Sequence, residues 1–292
     1  RRTNFDAAGN PIGGEENLIN DAKERSFILL GLGASFKPST YLEIYGNISQ
    51  NYRSITFSDV NIVNPSNAVD PSLKDENGFT VDVGARGNLN SWVSYDIGFF
   101  SLFYKDRIGF LFTSIPPINN LGQLRTNIGD ATIMGLESVL DFNLKKILTI
   151  GDRFSLNYFV NTSVINSKYT RVITNGIKGN KVEFVPDFNI KTGIRFGYQN
   201  VSSSIQYTYL SDQFSDASNS VTGDVSGITG MIPAYDVLDI SASYTYKFMK
   251  LETGINNVLD KVYFTRRATG YPGPGIIPSI PRNWYVTLQF KF

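Results

Sequence analysis

The chain has 292 residues, 41% hydrophobic and 18% charged, with 27 basic against 26 acidic side chains and a net charge of +1. It contains no cysteine and no histidine, which excludes a disulfide framework, a thiol nucleophile, a histidine general base and the usual zinc ligand sets. Balanced charge removes the electrostatic footprint of a nucleic-acid binder, and no apolar run approaches the roughly 18 residues that a membrane helix needs.

Apolar and polar residues instead change places at every second position, as in a strand with two unlike faces. Weak alternation predicts strands over 26–37 and 40–52. Over 79–87, Phe79, Val81, Val83 and Ala85 oppose Thr80, Asp82 and Arg86. A strand over 92–105 follows. Over 129–142, Met134, Leu136, Leu140 and Phe142 oppose Gly135, Glu137 and Asp141. Over 153–165, Phe154, Leu156, Tyr158, Val160 and Val164 oppose Ser155, Asn157, Asn161 and Ser163. Residues 187–198 and 201–210 repeat the pattern with Ile190, Ile194 and Phe196, then Val201, Ile205 and Tyr207. Strands over 235–247 and 250–262 come next. In the second, Leu251, Ile255, Val258 and Leu259 also fit helical spacing, against which Gly254, Asn256 and Asn257 argue. The last eleven residues sort Trp284, Val286, Leu288, Phe290 and Phe292 from Tyr285, Thr287, Gln289 and Lys291.

About eleven strands of 10 to 15 residues result. An ordinary globular strand has about 5–6 residues, whereas a tilted strand crossing a bilayer needs about 9–11. Short turns near 37–39, 88–90, 199–200 and 248–249, with a looser link at 143–152, alternate with long polar stretches at 53–77, 106–128, 169–184, 212–233 and 263–281. Short connections on one rim and long ones on the other are the outer-membrane barrel pattern. The polar face carries Glu137, Asp141, Lys191, Arg195, Asp239 and Lys291, which a water-filled or plugged lumen tolerates. Tyr41, Tyr52, Trp92, Tyr104, Tyr198, Tyr209 and Trp284 fall near strand ends, as interfacial girdles would.

The carboxy-terminal stretch resembles the end of a TonB-dependent outer-membrane receptor, most nearly the ferric dicitrate transporter type of Bacteroidota. The resemblance rests on Asn256-Asn257-Val258-Leu259-Asp260, Tyr263-Phe264, Arg266-Arg267, Gly270-Tyr271-Pro272-Gly273-Pro274-Gly275 and Pro281-Arg282. Upstream, Phe103-Tyr104-Lys105-Asp106-Arg107-Ile108-Gly109, Asn127-Ile128-Gly129-Asp130-Ala131 and Gly135-Leu136-Glu137 resemble segments of the same receptors, and Phe292 resembles their membrane-insertion signal. The resemblance implies an all-β transmembrane antiparallel barrel of about 22 strands filled by a plug. Eleven strands would form its C-terminal half, with the plug absent from this chain. Residues 1–25 would then be an outer-loop remnant and 26–292 the C-terminal part of the barrel.

On that expectation the chain is no enzyme and has no intrinsic cofactor or metal. It would help to import a ferric chelate, such as ferric dicitrate or a siderophore, across the bacterial outer membrane. The partners implied are the N-terminal plug and remaining barrel strands, TonB with ExbB and ExbD, outer-membrane lipid and lipopolysaccharide, and the barrel assembly machinery. Arginine suits an anionic, carboxylate-rich chelate because its planar fork grips carboxylates bidentately. The candidates at strand tops and in outer loops are Arg53, Arg125, Arg266, Arg267 and Arg282. The other reading is a receptor-like barrel importing a glycan or peptide, or serving as a structural or binding subunit of an outer-membrane complex. Asp70, Asp75, Glu76 and Asn77 could present oxygens to calcium, but their spacing reads first as a solvated acidic loop.

Overall fold

The computed structural model describes residues 4–5, 11–12, 26–60, 67–115, 120–172, 176–268 and 275–291. Two units emerge, residues 1–30 and 31–292. In the first, Asn4–Phe5 pairs antiparallel with Pro11–Ile12.

The second unit is built on one sheet. Its strands are β1 (Gly31–Ser39), β2 (Leu42–Arg53), β3 (Glu76–Leu89), β4 (Val93–Ile115), β5 (Asn120–Asn143) and β6 (Phe154–Val172). They continue as β7 (Phe188–Tyr198), β8 (Val201–Leu210), β9 (Tyr235–Tyr246), β10 (Met249–Asn256) and β11 (Asn283–Phe290). Each strand pairs antiparallel with its neighbours in the chain, an eleven-strand meander. A short strand, Asn67–Val69, adds to β5 in parallel. The predicted all-β architecture and the number of long strands both hold.

Register lines up the apolar residues. One row runs Val83, Phe99, Leu136, Val164, Phe188 across β3 to β7. Another runs Ile194, Ile205, Ile240, Ile255, Trp284 across β7 to β11. None of these positions carries a charge, and all but the half-buried Phe188 stay exposed, Leu136 at 58% and Val286 on the same face at 59%. A continuous apolar face of this extent calls for hydrocarbon around it. The opposite face carries Asp82, Glu137, Asp141, Lys191, Arg195 and Asp239, with Arg195 paired to Asp141.

Aromatic contacts mark two levels. Phe142–Tyr158, Phe154–Tyr198 and Phe248–Phe290 lie at the short-turn rim. Phe79–Phe103 (4.4 Å, stacked) and Phe188–Tyr209 lie at the long-loop rim. From Phe188 to Tyr198 is about 33 Å along β7 at the usual strand rise, or about 25 Å of membrane at a typical tilt. Tyr52 and Tyr104 depart from the predicted girdles, because both line the cavity described below.

Three boundaries differ from the sequence reading. The stretch predicted as a loop over 106–128 is mostly strand, since β4 runs to Ile115 and β5 returns from Asn120. β6 likewise extends to Val172. Beyond the girdle hydrocarbon no longer sorts the faces and the connections pack onto the strands, so alternation lapses while the backbone still satisfies itself by pairing. The strand predicted over 250–262 stops at Asn256, because Asn257 and Asp260 take left-handed conformations (φ 52° and 54°). Its helical alternative does not form; among the described residues the helices are the single turns Phe57–Val60 and Leu144–Ile147. A compact core of Ile128, Ala131, Ile133, Tyr169, Ile177, Val182 and Ala217 sits at the loop end, where the connections fold onto β5 and β6.

Candidate functional site

The site lies on the polar face just past the loop-side girdle. Arg53 ends β2 and faces Glu76, which begins β3, as a register pair. Its Nη1 donates to Glu76 Oε1 at 3.0 Å. The same oxygen accepts the Ile108 N–H at 2.6 Å. That contact fixes the irregular part of β4, where register shifts flank Arg107 and Asp106 has φ 54°. Across the strand pair, Gly129 has φ 149°, and a Cβ there would stand 2.0 Å from the Arg171 carbonyl oxygen. Only glycine accepts both that conformation and that approach. The irregularity turns Arg107 over the Tyr104 ring, 5.3 Å from its centroid.

The described parts of the connection, residues 54–60 and 67–75, close one side. Asp59, 1% exposed, accepts from Arg53 Nη2 at 2.7 Å and from Arg125 Nη2 at 2.5 Å. Its other oxygen accepts the Thr56 N–H at 2.9 Å and the Thr56 hydroxyl at 2.7 Å. Burial pushes the Asp59 carboxyl up, but Thr56, Arg125 and Arg53 together more than reverse this and hold it well below the usual carboxylate range. Three consecutive residues of β5 hold the connection: Arg125 through Asp59, Thr126 through Asp70 at 2.6 Å, and Asn127 through the Lys74 backbone at 2.7 and 2.9 Å. Ser72 and Thr126 keep the Asp70 carboxyl below its ordinary value.

A cavity of about 490 Å³ results, lined by Arg53, Arg107, Arg125, Tyr104, Phe110 and Glu183 among others. The Arg53, Arg107 and Arg125 side chains in its lining are 38%, 19% and 16% exposed. Of their carboxylate partners, Asp59 is 1% exposed and does not line the cavity, whereas Glu76 and Glu183, at 7% and 8%, line it beside the arginines. Three arginines and three carboxylates thus meet here, and the charges balance in number. Arg125 also stacks on Phe110 at 4.5 Å. Such planar, aromatic-backed forks suit carboxylate oxygens.

Of the five arginines picked from the sequence, the structure brings together Arg53 and Arg125. Arg267 lies in the hairpin formed by Phe264–Ala268 and Gly275–Pro278, and donates to the carbonyls of Gly227 at 2.7 Å and Met231 at 3.0 Å. Burial lowers its pKa, while Asp224 and Asp216 act the other way. Arg266 is exposed on the same hairpin. Arg282 pairs with Asp260 at 3.3 Å, both half-exposed. Phe292 and most of the glycine-proline motif, residues 270–274, lie outside the described residues. The acidic loop uses its oxygens internally: Asp75 accepts from the Tyr52 hydroxyl and the Ile55 N–H, and Asp70 and Glu76 as above. Among the described residues no three His, Cys, Asp or Glu side chains gather as a metal site.

Asp59, Arg107 and Glu183 were not singled out from the sequence. Arg107 stood inside a segment carrying the family resemblance, which was its only signal. Glu183 meets it from 76 positions away.

Comparison with known proteins agrees with this architecture. The family model for the TonB dependent receptor-like β-barrel matches residues 2–258. The ferric citrate transporter FecA, solved unliganded, superposes with TM-score 0.72 at 19% identity, covering 90% of this chain and 38% of that one. The copper transporter OprC gives TM-score 0.66 at 15% identity, with 90% and 38% coverage. The ferric yersiniabactin uptake receptor FyuA of Yersinia pestis gives 0.64 at 17% identity, with 90% and 37% coverage. The chain thus spans somewhat over a third of the length of these structures, as one stretch of barrel wall. With its apolar band, its paired lumen charges and a matching family model over most of its length, the chain belongs to the TonB-dependent receptor-like β-barrel family.

Proposed function

We propose that this chain is the C-terminal part, residues 26–292, of a receptor in the bacterial outer membrane, with residues 1–25 a remnant of an outer loop. The receptor imports an anionic ferric chelate bearing carboxylates, of the ferric citrate or siderophore kind. The plug, the remaining strands and TonB with its energising partners belong to the whole receptor. The observation that carries the reading is the gathering of three arginines, Arg53, Arg107 and Arg125, in the lining of one cavity at the loop-side rim. The name of FecA supports a ferric chelate as cargo. OprC shows that a similar wall also serves copper transport, so the ligand rests on the arginine layer and not on the barrel.

The test is equilibrium binding to the full-length receptor in detergent, with ferric citrate, copper(II), a linear oligosaccharide and a short peptide as ligands. Saturable binding of ferric citrate with retention in iron-limited growth assays is the expected result. Binding of the copper ion, oligosaccharide or peptide with no response to any ferric chelate would refute the reading.

A further inference from the structure

On its outward, membrane-facing side the wall ends differently on different strands. At the long-loop rim of β9 to β11 the basic residues are matched: Lys261 pairs with Asp236 at 3.4 Å and Arg282 with Asp260 at 3.3 Å. Over β4 to β6 two lysines are not. Phe103, Thr132 and Lys168 form one register row. Each stands four residues past its counterpart in the apolar row Phe99, Leu136, Val164, so Lys168 shares the apolar face. Lys105 lies two residues past Phe103, opposite Asn77, on the same face. Both lysines are exposed. Among the described residues neither has an ion pair or a side-chain hydrogen bond. The neighbouring carboxylates are committed elsewhere. Asp130 accepts from Arg171 Nε at 2.9 Å and from the Asp106 N–H at 3.2 Å. Asp75, two residues before Asn77, accepts from the Tyr52 hydroxyl and the Ile55 N–H.

Their level in the membrane follows from the girdle. Lys105 stands roughly 7 Å along β4 past Phe103, and Lys168 roughly 13 Å along β6 past Val164, the partner of Phe188. At a typical tilt these are about 5 and 10 Å along the membrane normal. They bracket the headgroup layer, which adds about 5–8 Å to each side of the hydrocarbon core. Two strands and two residues of register put the two Cα atoms about 12 Å apart, within reach of two flexible lysine stems turned toward one group. Below them Leu136 and Val164 are 58% and 56% exposed. Unmatched positive charge above exposed apolar residues fits a molecule with acyl chains and an anionic head.

We infer that Lys105 and Lys168 form a site on the outward side of β4 to β6 for the phosphate groups of a lipid headgroup, whose acyl chains lie on the apolar residues below. The Arg171–Asp130 pair flanks the site and adds no net charge. The inference depends on the assignment of the two faces and is independent of the cargo.

The test titrates the full-length receptor in neutral detergent with lipid A, a bisphosphorylated glycolipid, and reads bound lipid by native mass spectrometry. Wild type is compared with K105Q, K168Q, the double variant, and K261Q, whose lysine already has a partner. A cation beside an anionic headgroup predicts affinity weaker by about fivefold for each single variant and about 25-fold for the double. K261Q should stay within about twofold of wild type. Wild-type binding should weaken as salt rises from about 0.05 to about 0.5 M, and lipid A stripped of its phosphates should bind wild type as weakly as lipid A binds the double variant. Should the double variant fail to fold, the single variants decide, and wild-type affinity in both would overturn the site. A double variant within about threefold of wild type, or phosphate-free lipid binding as tightly as lipid A, would show that the apolar face alone holds lipid and would overturn it too. So would a K261Q loss equal to that of K105Q, or a wild-type receptor that binds no lipid A. Displacement of lipid A by inorganic pyrophosphate at equal concentration would make this a free-phosphate site and overturn the lipid as its occupant.

Discussion

Asp59→Asn isolates one charge at the centre of the rim. The substitution keeps the size of the side chain and an oxygen for the Thr56 N–H, but sets an amide N–H₂ against guanidinium donors. Arg125, 16% exposed, loses a charge-assisted contact, with a cost of about 2 kcal/mol. Arg53 is 38% exposed and keeps Glu76, so solvent screening reduces its share to about 1 kcal/mol. The sum of about 3 kcal/mol corresponds to roughly 100-fold easier opening of the connection over 54–75. The readouts are the amides of Asp59, bonded to the Thr56 carbonyl at 3.0 Å, and Asp70, bonded to the Arg125 carbonyl at 2.9 Å. Amides in the middle of β7 serve as internal reference. Acid provides a second route to the same state. The Asp59 pKa is depressed in the folded connection, so the opened form binds more protons. The stabilisation is complete above the ordinary carboxylate value and is lost as pH falls below it toward the folded pKa. Exchange at Asp59 and Asp70 within about threefold of wild type, at neutral pH, would show that the Asp59 pair does not hold the connection.

Leu136→Arg places a charge midway between the girdles on the apolar face and should destabilise the barrel by about 2–4 kcal/mol in denaturant titrations in bilayers, whereas Glu137→Gln on the polar face should cost under about 1 kcal/mol; equal effects would contradict the assignment of faces. Gly129→Ala must carry a Cβ at φ 149°, 2.0 Å from a carbonyl, and should cost about 2 kcal/mol or more, with faster exchange at Ile108 next to the irregular step. Arg282→Gln removes an ion pair half-exposed on both sides and should change stability by at most about 1 kcal/mol; a larger loss would mean that the tight turn at 257–260 depends on it.

The membrane-facing part of this fold was legible because hydrocarbon imposes period two. Residues 201–210 were assigned to the residue, and Ile205 sits among apolar neighbours on both sides, as its alternation implied. The same logic fails above the girdle. Asp106, Thr113 and Gln123 read as loop, yet they lie in strands beyond the hydrocarbon, where pairing no longer leaves a polarity pattern. The helical spacing of Leu251, Ile255, Val258 and Leu259 arose because a strand ends in a tight turn that adds two apolar residues. The site was half legible. Residue chemistry nominates arginines, but Arg267 and Arg125 are indistinguishable on that ground. What separates them is whether a carbonyl or a cavity lies opposite, and that depends on partners such as Glu183 and Asp59 brought in by the connections.

Arg107 stands four positions past Phe103 in β4, roughly 13 Å along the strand from the girdle. The arginine layer therefore works in the aqueous phase, and the medium's ions set how far its field extends. At about 0.15 M salt that distance is about 8 Å; at about 0.01 M it is about 30 Å. On the proposed reading, binding of an anion at this wall would depend on the salt concentration around it. The same ion pairs would hold more tightly in fresh water than in brine, with no residue altered.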